Sequence, residues 1–321
     1  MRAARYSSYG PPDVLYECTT STPTPGPGEF LVRVHASSVN GIDLIVRAGI
    51  LRRFTGRKFP RGIGLDFAGE IVGMSSDAVS FKVGDRVWGV MSHGQAGSTA
   101  EFVCVQAKYL SQSPANLDLV SAAALPAVGV TAITALRDIG QLKAGDRLLV
   151  RGASGGVGSV AVQLGRHIGA HVTALARSAN LDFVRDLGAD LAFDYATTSP
   201  RELGTFDVIL CTAGSHAGAY RRLLAPGGRM TVICPDPNRP LTSLLYVLMS
   251  FLYGPRRVRL FSAKPRTPML ADLATYVEIG AIRPLVDGIH PLSGIADAHR
   301  AVEEGGRKGK QIVLLHNPTA S

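Results

Sequence analysis

The chain has 321 residues, of which 46% are hydrophobic and 18% are charged. This composition excludes a disordered chain and predicts a globular protein with two domains of ordinary size. The net charge of +9 comes from basic residues spread along the chain, without a nucleic-acid-binding motif. We therefore expect a solvated basic surface that favours a phosphate-rich cofactor, and no nucleic-acid partner.

The first third of the chain is rich in short strand-like runs separated by glycine and proline. Such punctuation predicts a compact, barrel-like β domain. The predicted strands cover residues 30–35, 67–72, 87–90 and 101–105.

From residue 121 the pattern changes, first to an alanine- and leucine-rich helix over 121–136 with a break at Pro126. Strands and helices then alternate with short connections, which predicts a parallel sheet with helices on both faces. The predicted strands are 148–153, 171–176, 191–194, 206–211 and 230–234, and the helices are 157–168, 180–187 and 217–224. The tail predicts helices over 272–279 and 295–304 and a strand over 311–315.

The sharpest motif lies where the first of these parallel strands runs into a helix, in RLLVRGASGGVGSVAVQLG. This is a dinucleotide-binding fingerprint, A-x-G-x-x-G, with alanine in the first position. The second small residue lets a pyrophosphate approach the backbone, and the third lets the helix pack closely on the strand. The helix N-terminus then offers free N–H groups to the phosphates. We assign to this site Ala153, Ser154, Gly155, Gly156, Val157 and Gly158.

The end of the next strand indicates which dinucleotide binds. An NAD site usually has an acidic residue there, which binds the ribose 2′-hydroxyl. Here the strand HVTALA is followed by Arg177 and Ser178. A guanidinium and a hydroxyl suit a 2′-phosphate instead, so we predict NADPH.

In combination, several segments resemble the medium-chain dehydrogenase/reductase superfamily along nearly the whole chain. They include PGPGEFLVRV at 25–34, GLDFAGEIVG at 64–73, FKVGDRVWG at 81–89, LLAPGGRM at 223–230 and the closing GKQIVLL. The resemblance implies an α/β fold, with a GroES-like β-barrel domain over 1–120, completed by 285–321. It also implies a Rossmann doubly wound parallel sheet over 121–284, which binds the cofactor.

The zinc alcohol dehydrogenases of this superfamily carry a catalytic cysteine where this chain has Asn40, and a G-H-E turn where it has Gly64-Leu65-Asp66. Their four-cysteine zinc lobe is also absent, since no cysteine lies between Cys18 and Cys104. Zinc needs three or four sulfur or nitrogen ligands. We therefore predict no metal site and interpret Asp66 as a structural turn carboxylate.

The pattern N-x-x-D-x-x-x-R-x-G beginning at Asn40 instead resembles the zinc-independent quinone oxidoreductases. By that resemblance, Asn40 lies near the nicotinamide and donates a hydrogen bond to a substrate carbonyl, while Asp43 and Arg47 shape the turn and helix beneath it. Further cofactor contacts are assigned by resemblance or by position after a strand-like run: Thr131, Tyr195, Ala213 and Cys234.

Without a metal, oxidation of simple alcohols is disfavoured, because no Lewis acid stabilises an alkoxide. Quinones and α,β-unsaturated carbonyls spread the incoming hydride charge onto oxygen, so orientation and one or two hydrogen bonds supply much of the catalysis. The sequence therefore predicts an NADPH-dependent reductase of such substrates, with the choice between quinone and alkene left open.

A second interpretation is an NADPH-binding protein with little turnover, acting at a membrane surface or on RNA. Its motivation is the apolar run LTSLLYVLMSFLY and the arginines after it, from Leu241 to Arg259, which are too short to span a bilayer but suit peripheral membrane contact. Four cysteines without a C-x-x-C pair favour a cytoplasmic, reducing setting. A homodimer is expected from the resemblance.

Overall fold

The computed structural model describes residues 1–56, 58–92, 95–212, 217–233, 257–261, 263 and 265–316. The chain divides into two compact units. The first contains Met1–Ala127, Pro265–Gly280 and Pro284–Ser321, and the second contains Val128–Lys264 and Ala281–Arg283. Within the described residues, no helix is long and apolar enough to cross a membrane.

The first unit is mainly antiparallel β-structure. Its strands are β1 (Arg2–Tyr6), β2 (Leu15–Thr19), β3 (Glu29–Ser38), β4 (Arg61–Gly62), β5 (Asp66–Met74), β6 (Arg86–Val90), β7 (Phe102–Gln106), β8 (Leu110–Gln112), β15 (Val286–Pro291) and β16 (Lys310–Leu314). One sheet has the order β2-β1-β4, and the other has the order β15-β16-β3-β5-β6-β8, with β7 paired to β3. The helices of this unit include α1 (Gly41–Arg47), α2 (Arg52–Thr55), α3 (Leu119–Ala122), α8 (Thr267–Glu278) and α9 (Ile295–Glu304).

Strand β3 organises this unit, because it pairs with β5, β7 and β16. Its alternate residues Phe30, Val32, Val34 and Ala36 are fully buried, as expected for a strand with one face on a core. Register shifts within the β3–β5 ladder bend the pair, which is how antiparallel sheets curve into barrels. The GroES-like fold expected from the sequence is confirmed.

The second unit contains a single parallel sheet of six described strands. These are β9 (Arg147–Arg151), β10 (His171–Ala176), β11 (Leu191–Asp194), β12 (Phe206–Cys211), β13 (Leu224–Val232) and β14 (Arg257–Leu260), in the order β11-β10-β9-β12-β13-β14. The described helices are α4 (Pro126–Ile133, which begins at the unit boundary), α5 (Gly156–Ile168), α6 (Leu181–Asp186) and α7 (Ala217–Arg221). This is the doubly wound Rossmann order, so that fold prediction is also confirmed.

The core of the second unit forms where the sheet is buried on both faces. Leu149, Leu175, Ile209 and Met230 come from four different strands, and all four are fully buried. Such continuous apolar runs are typical of central parallel strands. The topological switch point, where the strand order reverses, lies between β9 and β12, and ligands of doubly wound sheets bind at this point.

The sequence predicted strands over 171–176, 191–194 and 206–211 and a helix over 295–304, and each coincides with an observed element. The prediction for 217–224 was wrong at its end, because α7 stops at Arg221 and β13 already begins at Leu224. Phe206 pairs with Leu224, and a register shift after Phe206 accommodates the Pro-Gly-Gly turn inside the strand. The β1–β2 hairpin and β15 were not predicted.

The observed units also differ from the expected division. The sequence assigned residues 121–284 to the Rossmann domain, whereas 121–127, 265–280 and Pro284 lie in the first unit. Thr267 Oγ1 donates to the Ala107 carbonyl at 2.8 Å, and Asn116 Nδ2 donates to the Val277 carbonyl at 3.4 Å. Helix α8 is therefore held by loops of the first unit at both ends.

Candidate active site

The fingerprint turn lies at the carboxyl end of β9, at the switch point of the second unit. Gly152 begins the turn with a φ of +79°, a conformation that only glycine adopts freely. A Cβ on Gly158 would lie 2.1 Å from the Gly152 carbonyl oxygen. The third position of the motif is therefore glycine because helix α5 packs directly on the backbone of the turn.

The N-terminus of α5 has no side-chain cap. Gly155 caps the helix in an extended conformation, and a Cβ there would meet only the Gly152 oxygen, at 3.5 Å. Side-chain space within the protein thus does not require glycine at this position. The remaining residues assigned to this turn follow β9 or open α5: Ala153, Ser154, Gly156 and Val157.

The exposed end of β10 has the groups expected of a 2′-phosphate site. Arg177 Nε donates to the Tyr195 hydroxyl at 3.0 Å, so these two predicted cofactor residues lie together. Ser178 is exposed beside Arg177. The acidic residue of the neighbouring strand, Asp194, pairs in register with Ala176. Its carboxylate accepts from its own turn, at the Ala196 N–H, at 2.9 Å.

Three other predicted cofactor residues have different outcomes. Thr131 is half-buried on helix α4. Ala213 and Cys234 lie outside the described residues, as does the run from 241 to 253. The segment after β10 contacts the fingerprint turn within the second unit, because Asn180 Nδ2 donates to Ser154 Oγ at 3.1 Å.

In the first unit, Asn40 is the centre of a buried polar network. Its Oδ1 accepts from Lys310 Nζ at 2.6 Å, and its Nδ2 donates to Asp66 Oδ2 at 2.9 Å and to the Ser38 carbonyl at 3.4 Å. Lys310 also donates to the Val39 carbonyl at 2.8 Å. The network fixes both ends of the Asn40 amide, and only the bond to Ser38 is long and weak.

The Asp66 carboxylate connects this network to the start of α4. Its Oδ2 accepts from Ser38 Oγ at 2.7 Å, and its Oδ1 accepts from the Ala127 N–H at 2.8 Å. Lys310 Nζ lies 3.6 Å from Oδ2. Both charged residues are buried, so the ion pair and its hydrogen bonds compensate each other's desolvation.

Burial shifts the titration of the charged groups around Asn40. It lowers the pKa of Lys310, while the carboxylates of Asp66 and Asp43 oppose this effect. Burial also raises the pKa of Asp43 to about 7, although the Asn40 N–H that it accepts favours the charged form. That bond, 2.8 Å from the Asn40 nitrogen to Asp43 Oδ2, orients the first turn of α1.

These residues do not fit a zinc ion. The groups around Asp66 are an amide, a hydroxyl and an ammonium, whereas zinc in proteins is held by thiolate, imidazole and carboxylate. The Lys310 ammonium beside Asp66 would repel a dication. Among the described residues, no group of three or more His, Cys, Asp or Glu side chains is placed to hold a metal.

The sequence prediction missed Lys310 and underestimated Asp66. The signal for Lys310 was its position at the start of the apolar strand run KQIVLL, where a lysine needs a buried partner or a route to solvent. Asp66 was interpreted only as a turn carboxylate. Its partners come from β3, α1, α4 and β16, which are distant in sequence, so its role depends on the fold.

Comparisons with known proteins agree with this architecture. Residues 26–115 match the family model described as alcohol dehydrogenase GroES-like domain, and residues 187–313 match the one described as zinc-binding dehydrogenase. The chain is 34% identical to the chloroplast envelope quinone oxidoreductase homolog of Arabidopsis thaliana, over 98% of both chains. It is 30% identical to the 2-methylene-furan-3-one reductase of Solanum lycopersicum, over 98% of this chain and 79% of that one.

A similar solved structure is that of the quinone oxidoreductase from Coxiella burnetii. It superposes with a TM-score of 0.90 at 28% identity, and the match covers 98% of this chain and 99% of that one.

Proposed function

Because this chain belongs to the medium-chain dehydrogenase/reductase superfamily, in its quinone oxidoreductase-like branch, we propose that it is a zinc-independent, NADPH-dependent reductase of quinones or α,β-unsaturated carbonyls. Its membership makes it an oxidoreductase that uses a nicotinamide cofactor. The observation that carries the finer proposal is the Lys310–Asn40–Asp66 network, in which a buried ion pair holds the asparagine amide. By the resemblance, the zinc alcohol dehydrogenases carry a catalytic cysteine at the position of Asn40.

The preference for NADPH rests on the end of β10. Arg177 is exposed, and the Tyr195 hydroxyl positions it through Nε, which leaves the other guanidinium nitrogens for a phosphate. The acidic side chain closest in register, Asp194, is engaged by its own turn. No acidic residue directly follows β10, and one oxygen of the Asp194 carboxylate is already engaged, so this strand end suits a 2′-phosphate better than a ribose 2′-hydroxyl.

The fingerprint turn would hold the pyrophosphate of the cofactor. The N–H groups at the start of α5 and the helix dipole attract its negative charge, and Gly155 leaves the backbone open to it. When bound, the reduced nicotinamide supplies a hydride to the substrate.

The role that we propose for Asn40 is to bind the substrate carbonyl oxygen. An amide N–H can donate to this oxygen if Asn40 releases the 3.4 Å bond to the Ser38 carbonyl and keeps its shorter bond to Asp66. Lys310 polarises the amide from the other end, since it donates to Oδ1. Such a donor stabilises the charge that develops on oxygen when a hydride enters a conjugated system.

Turnover assays test this proposal directly. The purified protein is mixed with NADPH and a panel of ortho- and para-quinones and short enals, and the loss of NADPH absorbance is followed, with NADH in parallel and a chelator throughout. We expect turnover with NADPH, weak turnover with NADH and no effect of the chelator. Inhibition by the chelator would overturn zinc independence, and binding of NADPH without turnover of any acceptor would overturn the reductase. The cytoplasmic setting and the homodimer stay predictions.

A further inference from the structure

A cavity of about 520 Å³ opens in the first unit beside helix α1. Its wall includes Asp43, which directly follows the Asn40 network along the first turn of α1. The volume suits a small organic ligand. Its lining comes entirely from the first unit, so the cavity is a property of that unit alone.

The apolar part of the lining accepts a hydrocarbon body. Ile42 and Val46 of α1 line the cavity together with Ile63 and Leu65. Ile63 and Leu65 are at most 5% exposed. Contact with these side chains would stabilise a bound alkyl or aryl group.

The polar part of the lining is basic. Lys58 and Arg61 both line the cavity, Lys58 is exposed, and Arg61 is half-buried. Arg61 is fixed by Nη1, which donates to the carbonyls of Thr55 and Gly56. Lys58 makes no hydrogen bond or ion pair with the described residues, so its ammonium is free to bind a ligand.

A buried hydroxyl also points to a ligand. Tyr6 lines the cavity with 0% exposure, and its hydroxyl makes no hydrogen bond of normal geometry with the described residues. Burial raises the pKa of Tyr6, against the lowering effect of the nearby Arg61 guanidinium, so the phenol is a proton donor at neutral pH. The Arg61 guanidinium beside this hydroxyl is a donor only and cannot accept the phenolic hydrogen, whereas a bound acceptor would.

The acidic member of the lining does not cancel this positive charge. Asp43 is buried with a pKa of about 7, so part of its population is neutral at neutral pH. Its Oδ2 is occupied by the Asn40 N–H. Two cations and a phenol thus face one partly neutralised carboxyl.

We propose that this cavity binds a carboxylate carried by the substrate, which makes the preferred substrate class acidic quinones or enones with an apolar body. Lys58 and Arg61 pair with the carboxylate, and the Tyr6 hydroxyl donates to it. The inference rests on the proposed reductase function and adds the identity of the substrate to it.

The test compares two substrates that differ only in charge: a 4-oxo-2-alkenoic acid and its methyl ester, both with NADPH. We expect kcat/KM to favour the acid. Lys58→Glu should lower kcat/KM for the acid about tenfold or more, because it removes a charge-assisted hydrogen bond to the carboxylate. For the ester, which has no carboxylate, kcat/KM should stay within about twofold of the wild-type value, because an isolated exposed charge contributes little. Lys58→Arg should retain the preference for the acid.

Lys82→Glu is the matched control, because Lys82 is an exposed lysine of the same unit outside the cavity. It makes the same change in net charge, so an equal loss with this variant would overturn the site. Equal turnover of acid and ester, unaffected by Lys58→Glu, would also overturn it and leave the reductase proposal intact. If neither compound is reduced, calorimetric binding of the acid that Lys58→Glu abolishes would support the cavity site, while the reductase proposal fails.

Discussion

Lys310 Nζ lies 2.6 Å from Oδ1 of Asn40, although 270 positions separate the two residues in the chain. The lysine stands at the start of β16, which pairs antiparallel with the end of β3, just before Asn40. This pairing brings the last described strand next to the residues that precede α1. The candidate catalytic amide is therefore held by the C-terminal return of the chain to the first unit.

We predict that Lys310→Met destabilises the protein by about 3–5 kcal/mol, because it leaves Asp66 as a buried charge without its cation. Chemical denaturation measures this loss. In the fraction that folds, kcat should fall because the Asn40 amide is no longer oriented, whereas the Kd for NADPH should change less because the nucleotide turn lies in the second unit. Lys82→Met, at an exposed site, is the control. Wild-type kcat in Lys310→Met would contradict a positioning role.

The fingerprint glycines should respond differently to alanine. Gly155→Ala meets only an ordinary contact, at 3.5 Å, so the variant should fold with wild-type stability but bind NADPH weakly, because the new methyl group blocks the pyrophosphate. Gly158→Ala would force a Cβ to 2.1 Å from a backbone oxygen, so it should lower the melting temperature as well. Calorimetric binding and thermal unfolding separate the two effects. Tight NADPH binding by Gly155→Ala would argue against a phosphate at this turn.

Arg177→Ala should raise the KM for NADPH about tenfold to a hundredfold, since it removes a charge-assisted hydrogen bond to phosphate. The KM for NADH should change little. Tyr195→Phe, which removes only the hydroxyl that Arg177 Nε contacts, should have a smaller effect of the same kind. An equal loss for both dinucleotides would show that Arg177 does not select the 2′-phosphate.

His299 should make the protein less stable in mild acid. Burial, and secondarily the charge of Arg47, lowers its pKa from 6.5 to about 3. In the unfolded chain this imidazole takes up a proton near pH 6.5, whereas in the folded chain it does so only near 3. The free energy of unfolding should therefore fall as the pH drops from 6.5 toward 3.

His299→Asn should flatten this pH dependence in denaturant titrations at a series of pH values, and His171→Asn, at an exposed site, should not. Asp43 acts with the opposite sign, because its raised pKa means that stability is lost as the pH rises from 3.8 through about 7. Both proteins contain Asp43, so subtracting their free energies of unfolding at each pH removes the contribution of this residue. The same slope for His299→Asn and the wild-type protein would contradict a buried neutral imidazole.

The sequence by itself determined the parts of this protein that depend on local physics. A strand, a tight turn of small residues and a helix must follow one another at the fingerprint. The short apolar runs that became β10, β11 and β12 were predicted as strands with the same bounds that the structure has. A role for Arg177 could be predicted because the residue after a strand of this fold has a known position. A role for Asn40 could be predicted from a family pattern that is contiguous in the chain.

Only the tertiary structure decided which partners those residues have. The network of Asn40 joins Ser38, Asp66 and Lys310, and the basic cavity joins Tyr6 to Lys58 and Arg61 across strands that the sequence pattern did not reveal. Hydrogen bonds of this kind depend on which strands pair and in what register. The register of a sheet depends on which faces of all its strands are buried, and not on any local run of residues. Lys310 could therefore be recognised as a partner of Asn40 only from the pairing of β16 with β3.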